Sequence, residues 1–318
     1  MEIIKLKPVG KDALWGGDKL GKLIGVEDRL AELWLLSTHE DGQSLVVGGK
    51  SDGLTLTNAL PTSGAQALAS ILVKLIDAKQ DLSVQVHPDD AYAQKTGQAN
   101  GKTEAWYIVD CEPNAKIYCG LKSKMTTQEF QAVLQKGELV QAMQAFDVKK
   151  GDCFFIPAGT VHAIGAGCVI CEVQQNSNTT YRLFDYGRVG QDGLPRPLHL
   201  SDGLQVATLD KYANQVASKS QTAKQLDKAG AKVLVDCAYF VSAEIDTTKC
   251  PQNEFVLPAL GTPLAITVVR GTGMLSYDSV DNQGFGFLQF GDSLCTDKVT
   301  KPIKFLGEMT VLVSIPKE

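Results

Sequence analysis

The chain has 318 residues, 44% of them hydrophobic and 21% charged, with a net charge of −5. That length allows one large domain or two, and the composition is that of a soluble globular protein. The acidic balance, with no basic stripe, excludes nucleic acid as a partner, because binding it needs clustered cations.

MEIIKLKPVG carries no apolar leader core, and no run of about 18 uncharged apolar residues occurs, so a cytoplasmic protein with no membrane association is expected. In chain order, AELWLLS (31–37), LSVQVHP (82–88), AWYIVD (105–110), AKIYCG (115–120), DCFFIP (152–157) and CVICEVQQ (168–175) read as short β-branched strands between turn residues. Two helical patches interrupt them. AQALASILVKLIDA (65–78) has helical spacing early, and its end is equally the start of a strand. TTQEFQAVLQKGELVQAMQAF (126–146) has Thr126 or Thr127 as N-cap and Gly137 as a break.

A polar stretch at 209–230 then separates a second all-β segment, with strands in YFVSAEID, EFVLP, LAITVVRGTGMLSY, FGFLQFGDSL and TVLVSI. The reading is all-β, a duplicated barrel, with 1–228 as the catalytic unit and its inserted helices, and 229–318 as a smaller β domain. The second half contains no histidine, so chemistry is expected in the first copy only.

Eight scattered cysteines in a chain this long fit reduced thiols. Cys168 and Cys171 form a C-x-x-C, but no second pair follows at zinc-ribbon spacing, and both read as buried structural thiols.

Alternate side chains on a strand share a face, which groups Ser83, Gln85 and His87 opposite Val84 and Val86, and Lys102 beside Glu104. Such a polar face points either to water or into a ligand cavity. GDCFFIPAGTVHAIG adds a turn at Pro157-Ala158-Gly159 and His162 on the returning strand. If the face points inward, His87, Glu104 and His162 make a two-histidine, one-carboxylate set, with Gln85 as a neutral fourth donor. Such a set suits zinc and also Fe, Mn, Ni or Co. His39 and His199 sit beside loop signals and are expected to be solvated. Arg182 and Arg188, in YRLFDYGR, read equally as surface salt-bridge partners or as ligands for an anion.

LSVQVHPDD (82–90), GKTEAWY (101–107), GDCFFIPAGTVHAIG (151–165) and NTTYRLFDYGR (178–188), in that order, resemble the type I mannose-6-phosphate isomerases in their short bacterial form. The resemblance runs from about residue 1 to 200. It implies cupin, jelly-roll-like barrels and interconversion of mannose 6-phosphate and fructose 6-phosphate. It also implies one zinc ion per chain on Gln85, His87, Glu104 and His162. Ser83, Lys102, Arg182 and Arg188 are implied around the sugar phosphate, Glu172 as an acidic pocket residue and Trp15 near the rim. The chain departs from the pattern at AELWLLS, which keeps only Glu32 of a Glu-Ser-Trp-Glu segment. It also carries Ile164 where longer relatives have an aromatic, and Arg188 where some have lysine.

Aldose–ketose isomerisation moves a proton between C1 and C2 through an enediol. Glu172 is the first candidate base, since Glu104 would be occupied by metal, and Lys102 and Arg182 polarise the enediolate or hold the phosphate. A cupin oxygenase using iron and a non-catalytic sugar-phosphate binder are the rival readings. The chain is expected to act as a monomer or homodimer.

Overall fold

The computed structural model describes residues 1–23, 25–26, 29–60, 62–190, 193–213, 220–277 and 286–317, and its strands form three sheets. In the six-stranded sheet, Cys153–Ile156, Glu104–Cys111, Cys168–Gln175, Ile71–Ala78, Glu32–Leu36 and Val9–Lys11 lie side by side, all antiparallel. The five-stranded sheet runs Tyr181–Phe184, Val84–Val86, His162–Ile164, Lys116–Leu121 and Met143–Asp147, also antiparallel.

These two sheets face each other across a shared apolar layer, in which Ile76, Trp106, Ile108 and Ile170 of the first meet Ile117 and Ile164 of the second. Cys168–Gln175 is buried along its whole length because both of its faces are covered. Cys168 and Ile170 join that inner layer, while Val169, Cys171 and Val173 pack outward against Leu234, Phe240 and Leu312 of the C-terminal half. Both C-x-x-C thiols are thus buried, one on each side of the strand.

Val84 and Val86 are fully buried on the outer side of the five-stranded sheet, with Phe130, Leu139 and Met143 over them. Helices Thr127–Lys136 and Leu139–Ala142 supply this cover. Thr126 and Glu129 close the capping box of the first, and Gly137 ends it in the left-handed region at φ 70°. With its valines spoken for by the helices, the QVHP strand turns Gln85 to the inner side.

The structure resolves one open reading, corrects a second and adds detail to a third. The helix Ser63–Leu68 covers only the start of 65–78, and the end of that segment is the strand alternative, Ile71–Ala78, with apolar residues buried on both faces. The helical patch at 126–146 stops at Ala142, and Met143–Asp147 pairs with Lys116–Leu121 as an edge strand. The polar stretch at 209–230 contains the helix Gln221–Ala229, whose Ala223 and Leu226 reach the C-terminal core; residues 214–219 of that stretch lie outside the described residues.

The third sheet has nine strands, built around the long pair Leu264–Tyr277 and Ile303–Pro316. Its far edge is made by Ile4–Lys7 and Leu45–Val47, so the chain's first strand pairs with Ser293–Thr296 near its end. Among the described residues no helix is long and apolar enough to cross a membrane.

Candidate active site

Register places the polar residues opposite one another. Gln85 lies across from His162 on one side and from Arg182 on the other, making one row on the inner face of the five-stranded sheet. His87 follows two residues after Gln85, just past the strand end. From the facing sheet comes Glu104, opposite Gln174 and Ile156. One donor atom from each of His87, Glu104 and His162 falls within 4.8 Å of the others, and all three residues are buried.

Both imidazoles are oriented by backbone. His87 Nδ1 donates to the Thr179 carbonyl at 2.9 Å and His162 Nδ1 to that of Thr160 at 2.8 Å, which leaves each Nε2 with a lone pair. The Nε2 atoms approach the two oxygens of one carboxylate, His87 to Glu104 Oε2 at 3.4 Å and His162 to Oε1 at 3.3 Å. Glu104 Oε1 and His162 Nε2 have no hydrogen-bond partner although both are buried.

Burial, reinforced by the Lys102 ammonium, pushes His87 down to about 3, and burial likewise lowers His162. Burial works to raise Glu104, but Lys102 and the two imidazoles overcome it and hold the carboxyl well below its usual range. At neutral pH the cluster is therefore two neutral imidazoles and one carboxylate, the protonation state that a divalent cation requires. Unpartnered buried donor atoms of this kind fit a metal such as zinc.

Beyond the cluster the inner wall carries alternating charge. Lys102 Nζ lies 2.6 Å from Glu104 Oε2 and 3.5 Å from Glu172 Oε1. Lys74 Nζ is 3.1 Å from the same Glu172 oxygen and 3.4 Å from Glu32 Oε2. Trp106 Nε1 donates to the other Glu172 oxygen at 2.7 Å. Burial and the nearby Glu104 charge raise the Glu172 pKa despite the two ammoniums. Lys74 is raised too, since Glu172 and Glu32 outweigh its burial. Lys74 is absent from the sequence reading. The signal for it is a single lysine inside ILVKLIDA, where every residue is buried.

The remaining expected residues divide. Ser83 is buried beside the strand that bears Gln85. Arg182 is half-buried, with Nη1 donating to the Pro197 carbonyl at 2.9 Å and a buried Nε that has no hydrogen-bond partner. Arg188 is bound to Asp185, which also holds Arg196, and to the Asp81 carbonyl at 2.6 Å. Trp15 packs in the apolar layer with Ile76 and Trp106. His39 and His199 are half-buried rather than fully solvated, because each ring accepts a backbone amide, from Asp41 and Arg182 respectively. A cleft of about 320 Å³ bordered by Lys11, Glu32, Trp34 and Asn178 opens at the Glu32 end of the charged wall.

Comparison with known proteins bears on this arrangement. The sequence model of the family described as phosphomannose isomerase type I, catalytic domain, matches residues 3–155. The mannose-6-phosphate isomerase ManA of Bacillus subtilis (strain 168) is 38% identical over 285 residues, covering 86% of this chain and 87% of the relative. A crystal structure of the mannose 6-phosphate isomerase from Bacillus subtilis superposes with a TM-score of 0.82 at 29% identity, covering 99% of each chain. A mannose 6-phosphate isomerase bound with zinc and yttrium shares the fold, at a TM-score of 0.72 and 17% identity, with 99% of this chain and 100% of that one covered. The charged wall, the histidine pair and these matches converge, and the chain belongs to the mannose-6-phosphate isomerase family of aldose–ketose isomerases.

Proposed function

We propose that this chain interconverts mannose 6-phosphate and fructose 6-phosphate through an enediol, with one zinc ion held by Gln85, His87, Glu104 and His162. The observation that carries the metal assignment is the pair of buried, unpartnered atoms Glu104 Oε1 and His162 Nε2 between backbone-oriented imidazoles. Zinc is preferred among the ions such donors accept because a relative is bound with it. A zinc ion supplies electrostatic stabilisation to charge developing on the sugar oxygens.

The chain's own groups move the protons. Glu172, its proton affinity raised by burial, takes the proton from C2 and returns it to C1. Lys102 gives a proton to O1 and recovers one from O2. Lys74 and Trp106 hold Glu172 in place from two sides. Arg182, with its unpartnered Nε, joins Ser83 and Arg188 in binding the phosphate, and that binding orients the sugar.

In this reading the sheets form cupin barrels in tandem. Residues 1–228 carry the site, and 229–318 form a smaller β domain that borrows the strands Ile4–Lys7 and Leu45–Val47. The enzyme works in the cytoplasm as a monomer or homodimer on a small sugar phosphate.

A coupled assay on purified protein tests the proposal. Fructose 6-phosphate should form from mannose 6-phosphate, cease on chelation and resume when zinc is restored, with or without oxygen. A folded protein that binds zinc tightly yet turns over nothing refutes it.

A further inference from the structure

The loop that delivers Lys102 is held at three consecutive amides. Gly101 N donates to Asp90 Oδ1 at 2.8 Å, Lys102 N to the Pro88 carbonyl at 2.9 Å, and Thr103 N to Gln175 Oε1 at 2.8 Å. Gln175 is itself fixed, because its Nε2 donates to the same Asp90 oxygen at 2.9 Å. Asp90 thus clamps both ends of the segment, and its second oxygen takes a hydrogen bond from Tyr239 Oη at 2.9 Å. Tyr239 lies in the turn between Lys232–Asp236 and Phe240–Asp246, in the C-terminal sheet. Burial and the Asp90 carboxylate push its phenol up to about 12, which keeps it a neutral donor. The packing leaves little slack, since a Cβ on Gly101 would sit 2.5 Å from the Asp89 carbonyl carbon.

We propose that Tyr239 is a positioning residue by which the C-terminal sheet acts on the reaction: through Asp90 it fixes Gly101–Thr103 and thereby aims the Lys102 ammonium between Glu104 and Glu172. The proposal rests on the reading of Lys102 as a proton carrier. It gives the second half of the chain, which has no histidine, a part in catalysis without touching substrate.

The test uses the zinc-saturated full chain in four variants, Tyr239→Phe, Asp90→Ala, the double variant and Lys102→Met. Tyr239→Phe should lower kcat about five- to twentyfold, because small misplacements of a reacting group are costly. KM should stay within about twofold and zinc content should be unchanged, a split that general loosening of the fold would not give. In the Asp90→Ala background Tyr239→Phe should add nothing, since it acts through Asp90. Amide exchange at Gly101 and Thr103 should quicken in Tyr239→Phe alone, and this readout stands even where Asp90→Ala fails to fold. A kcat within twofold of the parent, independent effects of the two substitutions, or unchanged exchange overturns the proposal. Lys102→Met separates the two ideas, because wild-type turnover there overturns the proton-carrier reading while the exchange result still decides the positioning.

Discussion

Replacing Lys74 by Met tests the charged wall where it is most exposed to refutation. Lys74 has a side-chain exposure of 8% and stands between the buried Glu172 at 3.1 Å and the half-buried Glu32 at 3.4 Å. Met keeps the volume and removes the charge, so Glu172 is left with only the Lys102 ammonium, at 3.5 Å. Deleting one partner of a buried pair costs about 3–5 kcal/mol, because the other charge stays uncompensated. The cost should depend on pH in a definite direction. The Glu172 pKa is already raised, and losing Lys74 raises it further. A carboxyl whose folded pKa lies above its unfolded value stabilises fully below the unfolded value and loses that contribution as pH rises through the folded one. The deficit of Lys74→Met against the parent should therefore be large near about pH 8 and shrink near about pH 5. Acid weakens the parent as well: the His87 pKa is lowered to about 3, so its contribution is full above the ordinary 6.5 and falls away below it. The comparison must be made at equal pH, by urea unfolding of metal-free protein. Lys74→Met combined with Glu172→Leu should recover part of the loss, since an apolar replacement of both partners removes the stranded charge. A deficit under about 1 kcal/mol, or one that does not narrow in acid, would show that the wall is not the coupled set described.

Two further outcomes follow from the same geometry. Glu172→Gln should lower kcat by about 10²- to 10⁴-fold while zinc content, measured by elemental analysis, stays at the parent's level; near-normal turnover would remove Glu172 from the proton transfer. His162→Ala should abolish stoichiometric zinc, and with it the stabilisation of about 2.7 kcal/mol that the parent gains at a hundredfold excess over Kd, read as a zinc-dependent rise in Tm. An undiminished rise would place the ion elsewhere.

How much of this was legible in the sequence depended on whether the signal was local. The strands around QVHP, GKTEAWY and PAGTVH were legible because alternation is written into neighbouring residues, and valines at 84 and 86 mark the face that faces the helices. Inward orientation of Gln85 was not decidable from the strand alone, because it depends on what covers those valines. The helix–strand switch inside 65–78 was ambiguous for a similar reason. ILVKLIDA is apolar on both faces, and only the sheets on either side decide that it is extended. Lys74 carries no local signal, since a lone lysine acquires meaning only from Glu172 and Glu32, which lie on other strands in register with it or near it. Arg188 is open in sequence between a salt bridge and an anion, and only the fold shows that Asp185, three residues earlier, holds its guanidinium in place.

The placement of the charged wall also explains why the C-terminal sheet is no appendage. A sheet that turns Lys74, Glu104, Glu172 and Gln174 inward gives up apolar contacts on that face, and burying such charges costs free energy unless each is paired. Its outer face must then carry more of the hydrophobic stabilisation. Val73, Leu75, Ala105, Val169 and Val173 do so by packing against Leu234, Val235, Phe240 and Leu312. Tyr107 adds a hydrogen bond to Glu244 at 2.9 Å across the same boundary. Without the C-terminal sheet, the strands that bear Glu104 and Glu172 would expose their apolar side to water and retain charges on the other. The nine-stranded sheet is thus what lets the neighbouring sheet hold a line of buried charges. The link from Tyr239 to Asp90 extends the same dependence from stability to the aim of one ammonium.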